Sequence, residues 1–297
     1  MNNGKEQELI ACREVLLGDV LYYYRGADYA TGALEHYRKA ADLGYHWGCF
    51  NVGMCYLEGR GVPKDDPEAR SWFRKAEEAG GNPWAAEKLA DMGDVEAAQR
   101  VGEYYASGSR LADWGMPQDS SRAEKFRRQV EDYAWGKVKE GDDFYYNKKN
   151  YPEALECYRE AAHFGHHWGF YNVGKMYQLE KGVKGDKTEA LVWLLKAKEK
   201  NHPDSMEKIL HRLAELGDPA SMSEYADKLS ARGAHGEAYK WYYKAADAGY
   251  HWGCYNVAEC YRHGRGVTAD PSEARKWYLK AIRMGDNSAA KNCLSEK

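Results

Sequence analysis

Only 8 of the 297 residues are proline, and no stretch alternates apolar and polar residues as a half-buried strand does. The chain therefore contains little that would interrupt helices and nothing that predicts sheet. No run reaches the roughly 18 apolar residues of a membrane span. The N-terminal MNNGKEQELIACREVLLGDV has no basic region leading into an apolar core, so no signal peptide is expected. Neither sign of charge dominates: 43 Lys and Arg face 46 Asp and Glu, a net charge of −3. Nucleic acid and anionic membrane are thus not expected as partners. The seven cysteines are odd in number, and Cys49 and Cys55, like Cys254 and Cys260, sit six apart on helical sequence. That spacing turns the two thiols to different sides of a helix. They read as small buried groups in a reducing, cytoplasmic setting. Phenylalanine is scarce as well, 6 against 24 Tyr and 10 Trp, an aromatic set with polar ends suited to half-buried surfaces.

What is present is repetition. GYHWGCFNVGMCY at Gly44–Tyr56 returns as GHHWGFYNVGKMY at Gly165–Tyr177 and as GYHWGCYNVAECY at Gly249–Tyr261. Each copy leads into a glycine-rich loop and an Asp-x-x-Glu-Ala helix start. Asp65 with Glu68, Asp186 with Glu189 and Asp270 with Glu273 fit capping boxes, in which Asp accepts an orphan amide and Glu reaches back. Gly59 and Gly61, Gly182, and Gly264 and Gly266 are expected to supply left-handed backbone at the turn. Each second helix carries alanines seven apart around a large pair, as in Ala69, Trp72, Phe73, Ala76 and Ala154, Cys157, Tyr158, Ala161. Small residues at that interval let helices approach closely.

These motifs resemble the Sel-one-like repeat, a subclass of the tetratricopeptide superfamily. The resemblance implies an all-α, right-handed solenoid of antiparallel helix pairs occupying 1–297 as one domain. Strong repeats are 44–80, 165–200 and 249–285; degenerate ones are 17–43, 93–130, 141–164 and 217–249; a C-terminal cap covers 286–297. An insertion falls around Leu111–Gly115, and Gly81–Met92 and Pro203–Leu216 read as single extra helices. The chain departs from the family at Gly48, Gly169 and Gly253, where Ala is usual, and in placing Trp47, Trp168 and Trp252 just before them.

On a helix the cassette has two informative stripes. Gly48, Val52 and Tyr56, with their equivalents, fit core positions. The other stripe is Trp47, Asn51, Met54; Trp168, Asn172, Lys175; and Trp252, Asn256, Glu259. If it faces a groove, the indoles anchor side chains of an extended peptide and the amides pair with its main chain. Alternatively, the indoles pack between layers and the amides bind neighbouring loops.

The remaining chemistry is sparse. His163, His166 and His167 cluster, but no Cys or carboxylate stands at ligand spacing, so a solvated or packed cluster is expected, with no metal and no cofactor. Ser205-x-x-Lys208 and Ser288-x-x-Lys291 match one motif of penicillin-recognising enzymes, without its partner motifs. Some proteins similar to this family are linked to β-lactam binding, but they carry paired cysteines bridging the hairpin, which this chain lacks. The expectation is a non-enzymatic scaffold or adaptor that binds a protein or peptide in a concave groove. The rivals are a hydrolase or β-lactam-binding protein and a self-associating structural module; the sequence leaves oligomeric state open.

Overall fold

The computed structural model describes residues 3–24, 29–108, 117–285 and 287–295. The insertion around Leu111–Gly115 lies outside the described residues. Those described form sixteen α-helices and no strand. They fall into two compact units, Met1–Tyr133 and Ala134–Lys297.

The first unit holds α1 (Asn3–Asp19), α2 (Ala30–Asp42), α3 (His46–Glu58), α4 (Asp66–Gly80), α5 (Pro83–Asp91) and α6 (Val95–Ser107). A long helix, α7 (Ser120–Asp142), crosses the boundary. The second unit continues with α8 (Tyr151–His163), α9 (His167–Leu179), α10 (Lys187–Glu199), α11 (Pro203–Leu216), α12 (Pro219–Ala231), α13 (His235–Asp247), α14 (His251–His263), α15 (Pro271–Gly285) and α16 (Ser288–Ser295). Within each unit, the helices other than α7 pack chiefly on their neighbours in sequence, as expected of stacked hairpins. π-helical turns extend α1 over Val20–Tyr24 and α7 over Asp143–Lys148.

Local signals set the helix ends. Asp65, Asp186 and Asp270 cap α4, α10 and α15, their Oδ1 atoms accepting from Glu68, Glu189 and Glu273 amides at 3.0, 3.1 and 3.1 Å. At α4 and α15 the glutamate makes a forward contact in place of the expected return bond. Glu68 accepts from Trp72 Nε1 at 2.9 Å, and Glu273 pairs with Lys276 at 2.6 Å. A residue one turn further along the helix offers these carboxylates a charged or indole donor. The turn glycines Gly59 and Gly61 have φ of 70° and 74°, the left-handed region that disfavours a Cβ. In the middle copy Glu180 stands at φ 54° in place of a glycine.

The departure at Gly48, Gly169 and Gly253 has a steric cause. A Cβ on these residues would lie 2.5, 2.4 and 2.6 Å from the backbone nitrogens of Ala41, Ala162 and Ala246. The second helix of one hairpin and the first helix of the next touch through backbone at this point. The alanines opposite, Ala40, Ala161 and Ala245, are fully buried. Such backbone contact excludes even a methyl group.

Five of the seven cysteines are buried, none is bonded to another, and burial pushes the Cys55 thiol up to about 12. They are packing groups, as the spacing predicts.

Gly169→Ala must push α8 and α9 apart. We expect it to lower stability by about 1–3 kcal/mol, net of a gain of up to about 1 kcal/mol from helix propensity alone. Chemical denaturation checks this, and a more stable Gly169→Ala protein would contradict the packing described.

Candidate functional site: the exposed face of the first helices

A second seam lies inside each hairpin and builds the surface above it. At one fixed place the first helix carries a small residue on which a buried side chain of the second helix rests. A Cβ at Gly18 would lie 2.5 Å from Tyr37, at Gly53 2.7 Å from Phe73, at Gly141 2.6 Å from Tyr158 and at Gly174 2.7 Å from Leu194. The next residue on the first helix then meets the tip of that side chain. Where the tip is a phenol, the neighbour is an acid. Tyr37 donates to Asp19 at 2.8 Å, Tyr105 to Glu87 at 2.9 Å, Tyr158 to Asp142 at 2.7 Å and Tyr242 to Asp227 at 2.7 Å; Tyr278 donates to Glu259. Burial, then the bond to the carboxylate, raises the Tyr37, Tyr158, Tyr242 and Tyr278 phenols far above their usual range, so each remains the donor. Where the buried residue is Phe73 or Leu194, the residue following the glycine is Met54 or Lys175. Glu103, beside Gly102 and Phe126, is the exception and takes Gln99 Nε2 at 3.4 Å.

This seam explains why the stripe varies at Met54, Lys175 and Glu259. The three positions answer to the hairpin partner. Glu259 also receives His263 Nε2 at 3.3 Å. Lys175 donates to Tyr146 at 2.8 Å and lies 4.3 Å above the Tyr145 ring. Both tyrosines come from the π-helical turn after α7, which the sequence did not signal as a partner.

The indoles and amides of the stripe are placed differently in each copy. In the first unit, Trp47 is half-buried, 5.2 Å from Trp84 of α5 and edge-on to Phe50 at 5.6 Å. Asn51 donates to Asp19 at 3.3 Å, sharing that carboxylate with Tyr37. In the second unit, Trp168 is half-buried against Tyr171, with the Lys208 ammonium of α11 4.9 Å from its ring centre. Asn172 is buried, with 7% of its surface accessible. Trp252 is 40% exposed and meets only its own helix neighbours, Tyr255 and His251, among the ring contacts of the described residues. The helix that follows decides the difference: Trp84 or Lys208 covers the earlier indoles, whereas α16 presents Ser288, Ala289 and Ala290 near the equivalent place in the repeat.

Asn256 and Glu259 continue the face from Trp252 into a cleft of about 550 Å³ between α12, α13 and α14. Exposed Asp227 and Arg265 and half-buried Tyr255 also line it. Asn256 Nδ2 donates to Ser223 at 3.0 Å.

The first serine motif, Ser205 with Lys208, is not arranged for nucleophilic attack. Ser205 is fully buried and donates to the His202 carbonyl at 3.3 Å, while the Lys208 ammonium sits over Trp168. The histidine cluster is split: His163 is exposed and edge-on to Phe164, while His166 stacks on His167 and His167 on His202, which lies outside the cluster in sequence. No group of three or more potential metal ligands occurs among the described residues. No helix among them is long and apolar enough to cross a membrane.

The tyrosine–acid seam makes a sharp prediction. Phe73→Tyr would bury a hydroxyl against Met54 and should cost about 1–3 kcal/mol. Adding Met54→Glu supplies the acceptor found in the other hairpins and should restore at least half of the loss. Equal stabilities of Phe73→Tyr and the double variant, by urea denaturation, would show that position 54 is not the partner.

Comparison with known proteins follows the repeats. The Sel1 repeat family model matches residues 15–45, 48–81, 95–126, 141–166, 171–202, 234–250 and 253–286. Chitin synthase regulatory factor 3 of Schizosaccharomyces pombe is 26% identical over 270 residues, 87% of this chain and 26% of that protein. The chain thus spans about a quarter of that relative's length. Among solved structures, a Sel1 repeat protein from Oxalobacter formigenes is similar at 21% identity and TM-score 0.33, covering 100% of this chain and 89% of that one. The protective antigen c5321 of uropathogenic Escherichia coli matches at 24% identity and TM-score 0.30, covering 98% and 66%. With seven matched segments covering well over half of its length, this chain belongs to the Sel1 repeat family.

Proposed function

We propose that this chain is a protein-interaction scaffold that takes an extended peptide along α14, in the cleft beside Trp252, Asn256 and Glu259. Repeats of this class generally mediate protein–protein interaction. The observation that carries the finer reading is the exposure of Trp252 one helical turn before Asn256, which lines the cleft with Tyr255 and Glu259. An indole gives a large, rigid anchor for an apolar side chain at small entropic cost. The Asn256 carboxamide, held by Ser223, can accept from the peptide backbone, the contact that makes such recognition tolerant of sequence. Asp227 and Glu259 place carboxylates on the walls, which favours a Lys or Arg beside the anchor.

The corresponding residues of the other copies contribute differently. Trp47 and Trp168 are partly covered by α5 and α11, and Asn51 is tied to Asp19. Their role in this proposal is to hold the stacked layers, with binding concentrated at α14.

Selection of a displayed library of random linear peptides on the whole chain tests this. Enriched peptides should carry an apolar anchor beside a basic residue. Trp252→Ala and Asn256→Ala should each weaken an enriched peptide by about tenfold, about 1.4 kcal/mol, with thermal midpoints near wild type. Trp47→Ala should leave affinity unchanged while lowering stability. Enriched peptides indifferent to Trp252 and Asn256 would overturn the placement, and absence of any enrichment would overturn the peptide reading itself.

A further inference from the structure

The cassette places a histidine at the first position of α3, α9 and α14: His46, His167 and His251. About one repeat later comes the residue that caps the next helix. In two copies that residue is a buried asparagine with two tasks. Asn82 Oδ1 accepts from the Trp84 and Ala85 amides at 3.1 Å, and its Nδ2 lies 3.2 Å from His46 Nδ1. Asn287 Oδ1 accepts from Ala290 at 3.0 Å, and its Nδ2 lies 3.3 Å from His251 Nδ1. Each asparagine caps its helix and fastens the preceding hairpin to it.

The middle copy has His202 instead. Its side chain makes no capping bond to α11. Its ring lies 3.8 Å from His167, the planes 8° apart. His166 stacks on His167 at 4.6 Å and 18°, and Trp135 on His166 at 5.5 Å and 19°. His167 Nε2 and His202 Nδ1 are buried with no hydrogen-bond partner. Asp204 Oδ2 is 4.0 Å from His202 Nδ1, too far to bond. Parallel rings point their nitrogens side by side rather than at a common centre, so this is not a chelate.

We propose that the His167–His202 stack is an acid-sensitive latch that holds α9 to α11 while the His167 ring is neutral and loosens when that ring takes up a proton. Three arrangements oppose the charged state. The rings face each other without solvent at the two orphaned nitrogens. His167 begins α9 and His202 occupies the cap position of α11, where helix amides already give partial positive charge. His166, at the α9 cap, and His202 disfavour a proton on His167, and Lys208 of α11 and Lys139 of α7 stand over the adjoining Trp168 and Trp135 rings. Asp204 alone among the groups acting on His167 favours protonation, and it is largely exposed.

The direction follows. Burial first, then His166 and His202, hold His167 at about 4, well below its ordinary 6.5. The unfolded chain therefore binds this proton at a higher pH than the folded one. The stabilisation is complete above pH 6.5 and is lost as pH falls from there toward 4. The element released is the α9–α11 contact, against which Trp168 packs.

The test uses the full chain. Amide hydrogen exchange, corrected for intrinsic rate, and thermal midpoints are followed from about pH 7.5 to about pH 4.5. In the wild type, the first turns of α9 and α11 should exchange at least about tenfold faster at the acid end, while α5 and α16 keep their protection. His202→Asn installs the residue of the other two copies and should remove this selective acid response. Asn287→His should create one at α14 and α16, a gain that a merely weakened fold would not show. Acid-insensitive exchange of α11 in the wild type would overturn the proposal. So would an unchanged acid response in His202→Asn, or a failure of Asn287→His to sensitise its own site.

Discussion

The structure depends on how closely two helix backbones can approach when one side chain is reduced to hydrogen. Gly48, Gly169 and Gly253 bring consecutive hairpins into backbone contact, and Gly18, Gly53, Gly141 and Gly174 let a buried ring or leucine lie directly on the first helix. Dispersion and burial supply most of the stability at such contacts, because each removes water from alanine and aromatic surface at crystal-like density. Close contact also fixes register. A helix that shifts by one residue replaces hydrogen with a methyl group or larger, so the stack cannot slide.

The second constraint is polar. A tyrosine buried at the hairpin seam needs an acceptor for its hydroxyl, and the acid after the small residue provides one in five hairpins. Those carboxylates sit on the face where the Trp and Asn stripe also runs. Packing therefore shapes the candidate binding surface: the residue at each rung is set by what lies beneath it. Glu259 is acidic because Tyr278 lies behind it, whereas Lys175 follows a glycine that faces Leu194. What distinguishes one copy from another as a surface is the following helix. Trp84 and Lys208 cover two of the indoles and leave Trp252 exposed.

Much of this was legible in the sequence because the chain states it three times. The cassette, the Asp-capped second helices and the alanines seven apart identify helical hairpins, and their residues stand where the periodicity places them. The acids Asp19, Asp142 and Asp227 were not legible as partners of Tyr37, Tyr158 and Tyr242. They lie 15 to 18 residues away, outside the cassette, and a Gly-Asp or Ala-Asp pair reads equally well as a turn or a solvated charge. The link between His167 and His202 was hidden for a related reason. It emerges only when His202 is seen to occupy the place of Asn82 and Asn287, each in a short connection with little sequence pattern. The degree of cover over each tryptophan depends on side chains of the next helix, which no period within the cassette records.

The central claim is that stacked hairpins are held at small-residue seams and tied by tyrosine–carboxylate bonds across them. A double-mutant cycle on Asp142→Ala and Tyr158→Phe, read by urea denaturation, tests it most directly. The 2.7 Å bond predicts a coupling energy of at least about 1 kcal/mol, within the range for hydrogen bonds to charged groups. Effects that add to within about 0.3 kcal/mol would contradict it, because the two residues would then stabilise the hairpin independently.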